Sequence, residues 1–289
     1  MKIADIMKRK VPSLSFEIFP PKSTTALSDV KDAARRIAAL GPSFMSVTYG
    51  AGGGTAANTA AIAQAIQGQG ITALAHLTCV TSDKKRIHTE LENLRASGIE
   101  NILALRGDYP EGFDPTAPRD YTYAVDLVRD IRAFGGFTIG GACYPDGHVE
   151  SPSQAEDLLH LKEKVDAGLD FLTTQMFFDN SALYSFLYRA HEVGIKVPVL
   201  AGIMPVTNAI QMRRILSLSG STPPNRFRML LDRFRDKPDA MKQAGVVFAA
   251  EQIVDLVSNG VHGIHIYAMN RPEVAERLLD NLCHVLDRV

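Results

Sequence analysis

Eight short apolar runs, each followed by a stretch with helical spacing and most of them punctuated by glycine or proline, constrain this chain more than any other feature. The runs cover residues 14–21, 44–49, 71–79, 101–106, 138–144, 171–178, 197–204 and 263–268, and their β-branched and aromatic content reads as strands. Helical stretches span 28–40, 56–67, 84–96, 121–134, 153–167, 181–192, 208–218, 238–258 and 272–286, with an extra polar segment at 223–237. Apolar strands alternating with helices belong to a parallel sheet covered on both faces. Eight such units in 289 residues predict one closed α/β domain, a (β/α)8 TIM barrel over residues 1–289.

Several function classes fall away on composition. With 31 basic and 32 acidic residues the formal charge is −1, so the chain lacks the basic field that draws nucleic acid. No apolar run reaches membrane-spanning length, and residues 1–10 are too charged for a signal peptide. Cys79, Cys143 and Cys283 lie far apart in number and odd in count, which suits reduced thiols and a cytoplasmic location. The oligomeric state, homo-oligomer included, is left open by the sequence.

Within the first strand, Leu14-Ser15-Phe16-Glu17-Ile18-Phe19-Pro20-Pro21, one carboxylate interrupts an apolar run. A buried carboxylate is costly unless it is paired or protonated. Glu17 therefore has either a partner or a chemical role. In a barrel of this kind the functional residues lie at the C-terminal strand ends and in the loops after them. That rule collects Glu17, Thr48, Tyr49, His76, Arg106, Asp108, Tyr144, Gln175 and Tyr267. Any one alone would pass as a satisfied polar residue at a core edge; their convergence on one mouth argues for a site.

Other chemistries fit poorly. The only lysine close to a strand end is Lys22, beyond the prolines, which disfavours a Schiff-base mechanism. No His-Glu-x-x-His, paired-cysteine or Gly-x-Ser-x-Gly pattern occurs, and no metal site is expected. His262 and His265 would point to opposite faces of the eighth strand and read as two ordinary histidines. Gly52-x-Gly54-x-x-Ala57 brushes the dinucleotide fingerprint but lacks the acid expected about 20 residues on, so it reads as a loop allowing close backbone approach.

Six motifs in order, Ser15-Phe16-Glu17-Ile18-Phe19-Pro20-Pro21, Ser46-Val47-Thr48-Tyr49-Gly50, His76-Leu77-Thr78-Cys79, Leu105-Arg106-Gly107-Asp108, Thr174-Gln175-Met176-Phe177-Phe178-Asp179 and His265-Ile266-Tyr267-Ala268-Met269-Asn270-Arg271, resemble the methylenetetrahydrofolate reductase family in its short bacterial form. The resemblance implies an FAD-bearing barrel in which NADH or NADPH reduces the flavin by a ping-pong scheme. Methylenetetrahydrofolate then takes the hydride to become 5-methyltetrahydrofolate, feeding methionine synthesis. NADH is the family-based lean.

By that resemblance Glu17 is the acid that opens the folate's five-membered ring, and Asp108 is the acid close to flavin and folate. Gln175, Gln211, Tyr267 and Arg271 match substrate-side positions. The FAD set is Thr48, Tyr49, Ala51, His76, Arg106, Gly107, Asp108, Tyr123, Ala124, Tyr144, His148, Asp157, His160 and Lys164. The chain departs from the bacterial pattern at Glu163 (for arginine), His160 (for asparagine) and Ile215 (for phenylalanine). Ending after its last helix, it is expected to lack the regulatory domain of the eukaryotic enzymes and their response to S-adenosylmethionine. Two rival readings are another FAD barrel of the proline-dehydrogenase kind and a flavin- or folate-binding barrel without turnover. The set of Glu17, Gln175 and Arg271 weighs against the first; the cost of a buried acid without a use weighs against the second.

Overall fold

The computed structural model describes residues 1–9, 11–21, 26–49, 56–110, 112–114 and 116–286. Its strands follow one another as β1 (Ser13–Ile18), β2 (Phe44–Val47), β3 (Thr72–Thr78), β4 (Asn101–Leu105), β5 (Thr138–Cys143), β6 (Phe171–Thr174), β7 (Val199–Ile203) and β8 (Gly263–Ile266). Each pairs in parallel with the next, and β8 returns to β1, so the sheet closes. The predicted (β/α)8 barrel is the observed fold.

The helices are α1 (Ile3–Ile6), α2 (Leu27–Ala38), α3 (Ala56–Gln67), α4 (Lys84–Ala96), α5 (Ala124–Phe134), α6 (Gln154–Asp166), α7 (Asn180–Glu192), α8 (Ala209–Ser219), α9 (Asn225–Arg233), α10 (Pro238–Ser258) and α11 (Pro272–Asp280). Local chemistry starts several of them. Asp83 and Asn208 cap α4 and α8 by accepting from Arg86 N at 2.7 Å and Gln211 N at 2.8 Å. Proline opens α10 and α11, where its missing N–H costs nothing. In α2 the buried Val30, Ala34, Ile37 and Ala38 form one stripe against the barrel.

Strand β1 shows how the chain divides its side chains. Leu14, Phe16 and Ile18 belong to the core between sheet and helices, so the alternation sends Ser13, Ser15 and Glu17 into the barrel. All six positions are buried. The floor of the barrel is filled by Phe44, Leu74, Leu103, Phe171 and Leu200, with Ile3 and Ile6 of α1 packed beneath them. Gly140 makes room there: a Cβ on it would lie 2.4 Å from the Phe171 ring.

The sequence pattern misses four details. The charged N-terminus folds into α1, whose two isoleucines seal the floor. The polar segment 223–237 contains α9, with Phe227 and Leu231 buried in a satellite core with Met176, Phe178 and Met212. Helix α5 begins at Ala124 rather than at 121, because the Asp126 carboxylate accepts from Thr122 N (2.9 Å) and Tyr123 N (3.0 Å) and so caps the first turn. Strand β6 ends at Thr174, which leaves 175–178 as its exit loop. Among the described residues no helix is long and apolar enough to cross a membrane, and no group of three or more His, Cys, Asp or Glu side chains is arranged so that it could hold a metal ion.

Candidate functional site

Barrel closure brings three titratable side chains from non-adjacent positions in the sequence onto one point. Glu17 (6% exposed), His76 (6%) and His265 (2%) lie inside the barrel. His76 Nε2 is 3.4 Å and His265 Nε2 is 3.6 Å from the same oxygen, Glu17 Oε2. Ser46 Oγ sits between them, 3.4 Å from Glu17 Oε2 and 3.4 Å from His265 Nε2. The register explains the meeting: Glu17 stands beside Ser46 across β1 and β2, and Ser15 beside His265 across β1 and β8. Two strand neighbours of one strand thus surround its acid.

His76 is near Glu17 without hydrogen-bond geometry, and its Nε2 is a buried nitrogen with no hydrogen-bond partner among the described residues. Such an atom costs free energy unless something else meets it. Burial pushes the imidazole down to about 4; the Glu17 charge opposes that shift, and His265 adds to it. His76 is therefore neutral near pH 7. Tyr267 closes the wall, its hydroxyl donating to Thr174 O at 2.7 Å and its ring edge-on to His265 at 5.1 Å. Burial, with the Glu17 charge adding, raises its phenol well above the usual range. Gly202 permits that approach: a Cβ there would meet Thr174 O at 2.4 Å and the Tyr267 ring at 2.7 Å.

Next to this mouth, β4, β5 and α6 border a cleft of about 430 Å³. It gathers eight residues of the expected FAD set: Arg106, Tyr123, Ala124, Tyr144, His148, Asp157, His160 and Lys164. The Arg106 guanidinium lies 4.4 Å over Tyr109 and donates to both oxygens of Glu150, at 2.5 and 2.8 Å. Lys164 Nζ donates to Ala142 O at 2.9 Å, and burial pulls its ammonium below the usual range. Asp157 holds the loop from β5 by accepting from His148 N (3.3 Å) and Ser151 Oγ (3.2 Å). Tyr144 packs edge-on to His148 at 4.7 Å, and burial pushes its phenol up to about 12.

Other expected residues lie elsewhere on the rim. Asp108 is exposed after β4, close enough for its charge to add to the Tyr144 shift. Thr48 N donates to Ile18 O (2.9 Å) at the end of β1, and its carbonyl accepts from Thr59 Oγ1. Tyr49 packs into the outer core, its phenol raised mainly by burial. Gln175 accepts from Met176 N at 3.0 Å through its own Oε1. Gln211 is exposed in the first turn of α8. Arg271 bonds Thr207 of the loop after β7. Ala51, the Gly52-Gly54-Ala57 pattern as a whole and Lys22 lie outside the described residues.

The three departures have local accounts. Glu163 pairs with Arg129 at 2.7 Å, His160 lies exposed on the cleft rim, and Ile215 packs against the satellite core. One expectation is corrected: His265 is no ordinary histidine. The opposite-face argument holds, since His262 is exposed, but the inward face is the one that carries Glu17. Sequence reasoning also passed over Asn270. With Met269 it adopts a left-handed backbone (φ 56° and 53°), and its side chain donates to Phe19 O (2.7 Å) and accepts from Phe19 N (2.9 Å). This clamp ties the exit of β1, and with it Glu17, to the end of β8. The motif Met269-Asn270-Arg271 contained the signal, because asparagine tolerates that backbone best among non-glycine residues.

Three observations fit a flavin. His76 offers an unpartnered buried nitrogen at the mouth. Arg106 and Lys164 supply positive charge along the cleft, as a pyrophosphate requires. Gly107 turns with φ 88°, where a Cβ would press on Thr78 at 3.0 Å and Val80 at 3.2 Å, so the backbone runs bare between mouth and cleft. Thiol chemistry is disfavoured: Cys79 and Cys143 are buried, and burial raises both thiols, Cys79 to about 12.

Comparison with known proteins agrees in sequence and in shape. The family model described as methylenetetrahydrofolate reductase matches residues 2–283. The 5,10-methylenetetrahydrofolate reductases of Escherichia coli K12 and Pectobacterium carotovorum are each 34% identical, the matches covering 95% of this chain and 90% of theirs. An Arabidopsis thaliana protein named methylenetetrahydrofolate reductase (NADH) 1 is 33% identical over 97% of this chain, and the chain spans about half (50%) of its length. Among solved structures, a Clostridium thermocellum protein described as binding two copies of 5-methyl-5,6,7,8-tetrahydrofolic acid superposes with a TM-score of 0.66 at 14% identity, covering 99% of this chain and 100% of that one. A dihydropteroate synthase of Xanthomonas albilineans superposes with a TM-score of 0.56 at 16% identity, covering 98% and 95%. At those identities the two structures speak for the fold.

Proposed function

The chain belongs to the methylenetetrahydrofolate reductase family, and on that premise we propose that it reduces 5,10-methylenetetrahydrofolate to 5-methyltetrahydrofolate with NADH or NADPH as the reductant. FAD, when bound, supplies the hydride carrier between the two substrates, each of which visits the same mouth in turn. Arg106 and Lys164 would hold the cofactor's pyrophosphate from the cleft, and His76 would offer its unpartnered nitrogen to the bound cofactor. The product supplies methyl groups for methionine synthesis, and the chemistry is cytoplasmic.

One observation carries the reading: a single buried carboxyl at the functional end of the barrel, flanked by two imidazoles at 3.4 and 3.6 Å. Hydride cannot add to the methylene carbon until its bridge opens. Glu17 gives a proton to the leaving nitrogen; the C–N bond breaks with its electron pair going to that nitrogen, and the remaining nitrogen forms the iminium that accepts hydride. Asp108, at the exit of β4, adds negative charge that favours this cation. Tyr267, Gln175, Gln211 and Arg271 orient the folate, with Arg271 suited to a carboxylate of its glutamate tail.

The experiment is spectroscopic. Purified protein supplied with FAD should turn yellow, bleach with NADH or NADPH under anaerobic conditions, and recover its colour when methylenetetrahydrofolate is added. Bleaching without recovery would leave a different flavin reductase. Failure to bind FAD at all would overturn the reading.

A further inference from the structure

His265 has no part in the chemistry proposed above, yet it is more deeply buried than the acid it faces. Its surroundings restrict where its hydrogen can sit. Ser15 Oγ lies 2.8 Å from His265 Nδ1 and 3.2 Å from Ile264 O. A hydroxyl has one hydrogen to give. Both contacts are hydrogen bonds only if Ser15 donates to the carbonyl and accepts from an N–H at Nδ1. In the neutral ring Nε2 is then a bare lone pair, directed at Ser46 Oγ (3.4 Å) and Glu17 Oε2 (3.6 Å).

Two arrangements satisfy every contact of this row. In one, the Glu17 carboxyl donates to Ser46 Oγ, and Ser46 donates to Nε2 of a neutral His265. In the other, an imidazolium Nε2–H donates to Ser46 Oγ, and Ser46 donates to the Glu17 carboxylate. Both hold one proton more than the carboxylate facing a neutral ring, a state in which the single Ser46 hydrogen leaves either Nε2 or the Glu17 carboxylate without a donor from Ser46. The remaining titratable neighbours hold no excess proton near pH 7: His76, from β3, is a neutral ring, and the Tyr267 phenol from β8 gives its hydrogen to Thr174 O. Phe44 from β2 stacks on the ring at 6.3 Å and contributes no hydrogen bond.

We propose that His265 is a positioning residue which, locked by Ser15, stores one proton jointly with Glu17 through Ser46 and keeps the acid loaded for ring opening. Moving that proton to the acid breaks the Nε2–H bond and forms O–H on Ser46, while the former Ser46 hydrogen forms O–H on Glu17 Oε2. When Glu17 then protonates the folate nitrogen, the row is one proton short until solvent returns it after product leaves. The catalytic use rests on the proposed folate reaction; the proton sharing does not.

Nitrogen-15 NMR of histidine-labelled protein separates the two. With His265 assigned by its loss in His265→Gln, the neutral ring should carry its hydrogen on Nδ1, Ser15→Ala should mix the tautomers, and Glu17→Gln should change the response of Nε2 to pH. Hydrogen on Nε2, or an Nε2 response that ignores Glu17→Gln, would overturn the store whatever the protein catalyses. In stopped flow, folate-driven reoxidation in Ser46→Ala and His265→Gln should fall by about 10-fold or more relative to nicotinamide-driven reduction. The loss should deepen as pH rises, and Ser46→Thr should restore it. A wild-type pH profile in both variants would overturn the catalytic use. If even wild-type protein is not reoxidised by folate, the folate reading fails, while the NMR result stands on its own.

Discussion

The mouth and the cleft beside it are built on opposite principles. At the mouth, Glu17, Ser46, His76 and His265 sit on neighbouring strands, are nearly sealed from water, and share a single carboxylate. In the cleft, Arg106, Glu150, His148, Asp157 and Lys164 come from strand ends, a loop and a helix, and the charges there already have partners in the protein. Desolvation makes each electrostatic contact at the mouth strong and each unpaired atom expensive. In the cleft the partner of Arg106 is the half-exposed Glu150, and a solvent-screened pair of that kind is weak and exchanges easily. The first region is thus suited to the proton chemistry proposed above and the second to the proposed reversible binding of an anionic cofactor.

The sharpest way to break this division is Glu17→Gln. It should slow folate-driven reoxidation by roughly 10²–10⁴-fold while leaving reduction by the nicotinamide nucleotide close to normal; equal losses in both half-reactions would remove Glu17 from the acid role. Next in size is a pH effect on stability. Above about 6.5 His76 is neutral folded or unfolded and contributes nothing to the pH dependence. Below that, the unfolded chain takes up a proton that the folded site resists until about 4, so stability falls as pH drops through this window. The loss approaches about 3 kcal/mol. Urea unfolding of His76→Gln between those limits should show a flatter pH dependence than wild type.

Cleft substitutions should have smaller consequences, confined to binding. Arg106→Ala should weaken FAD binding by about 1.5–3 kcal/mol, the range for hydrogen bonds to charged groups, with little change in the folate step once FAD is saturating. Glu150→Gln should release the Arg106 guanidinium and tighten FAD binding by no more than about 1 kcal/mol, since Glu150 is half exposed. Calorimetric titration of the apoprotein measures both. A large folate-step defect in either variant would mean that the two regions are not separable.

Much of the barrel was legible because its signals are local. Strand and helix periodicity, caps at Asp83 and Asn208, and punctuation by glycine and proline act over a few residues. Glu17 stood out for the same reason, as one charge in an apolar run. Asp126 as the cap that delays α5 and Ile3 and Ile6 as the floor of the barrel were harder to read, because a four-residue helix carries almost no periodicity. Of the partners of Glu17, His76 was gathered onto the same mouth by the strand-end rule, whereas Ser46 and His265 were not legible. His265 is 248 positions away in the chain, and nothing near it in sequence announces that β8 will lie against β1 in the register that sets it beside Ser15.

By itself, then, the amino-acid order determined the alternation of strands and helices, the number of units, the closed parallel sheet and the presence of an acid needing an explanation. Periodicity and the cost of burying charge are properties of short segments, and they survive without knowledge of the rest. Only the tertiary structure decided that the acid's neighbours are two histidines and a serine, that Arg106 rests on Glu150, and that Gly202 makes room for Tyr267. Those contacts depend on register around a closed ring, where the position of each strand is set by all the others together.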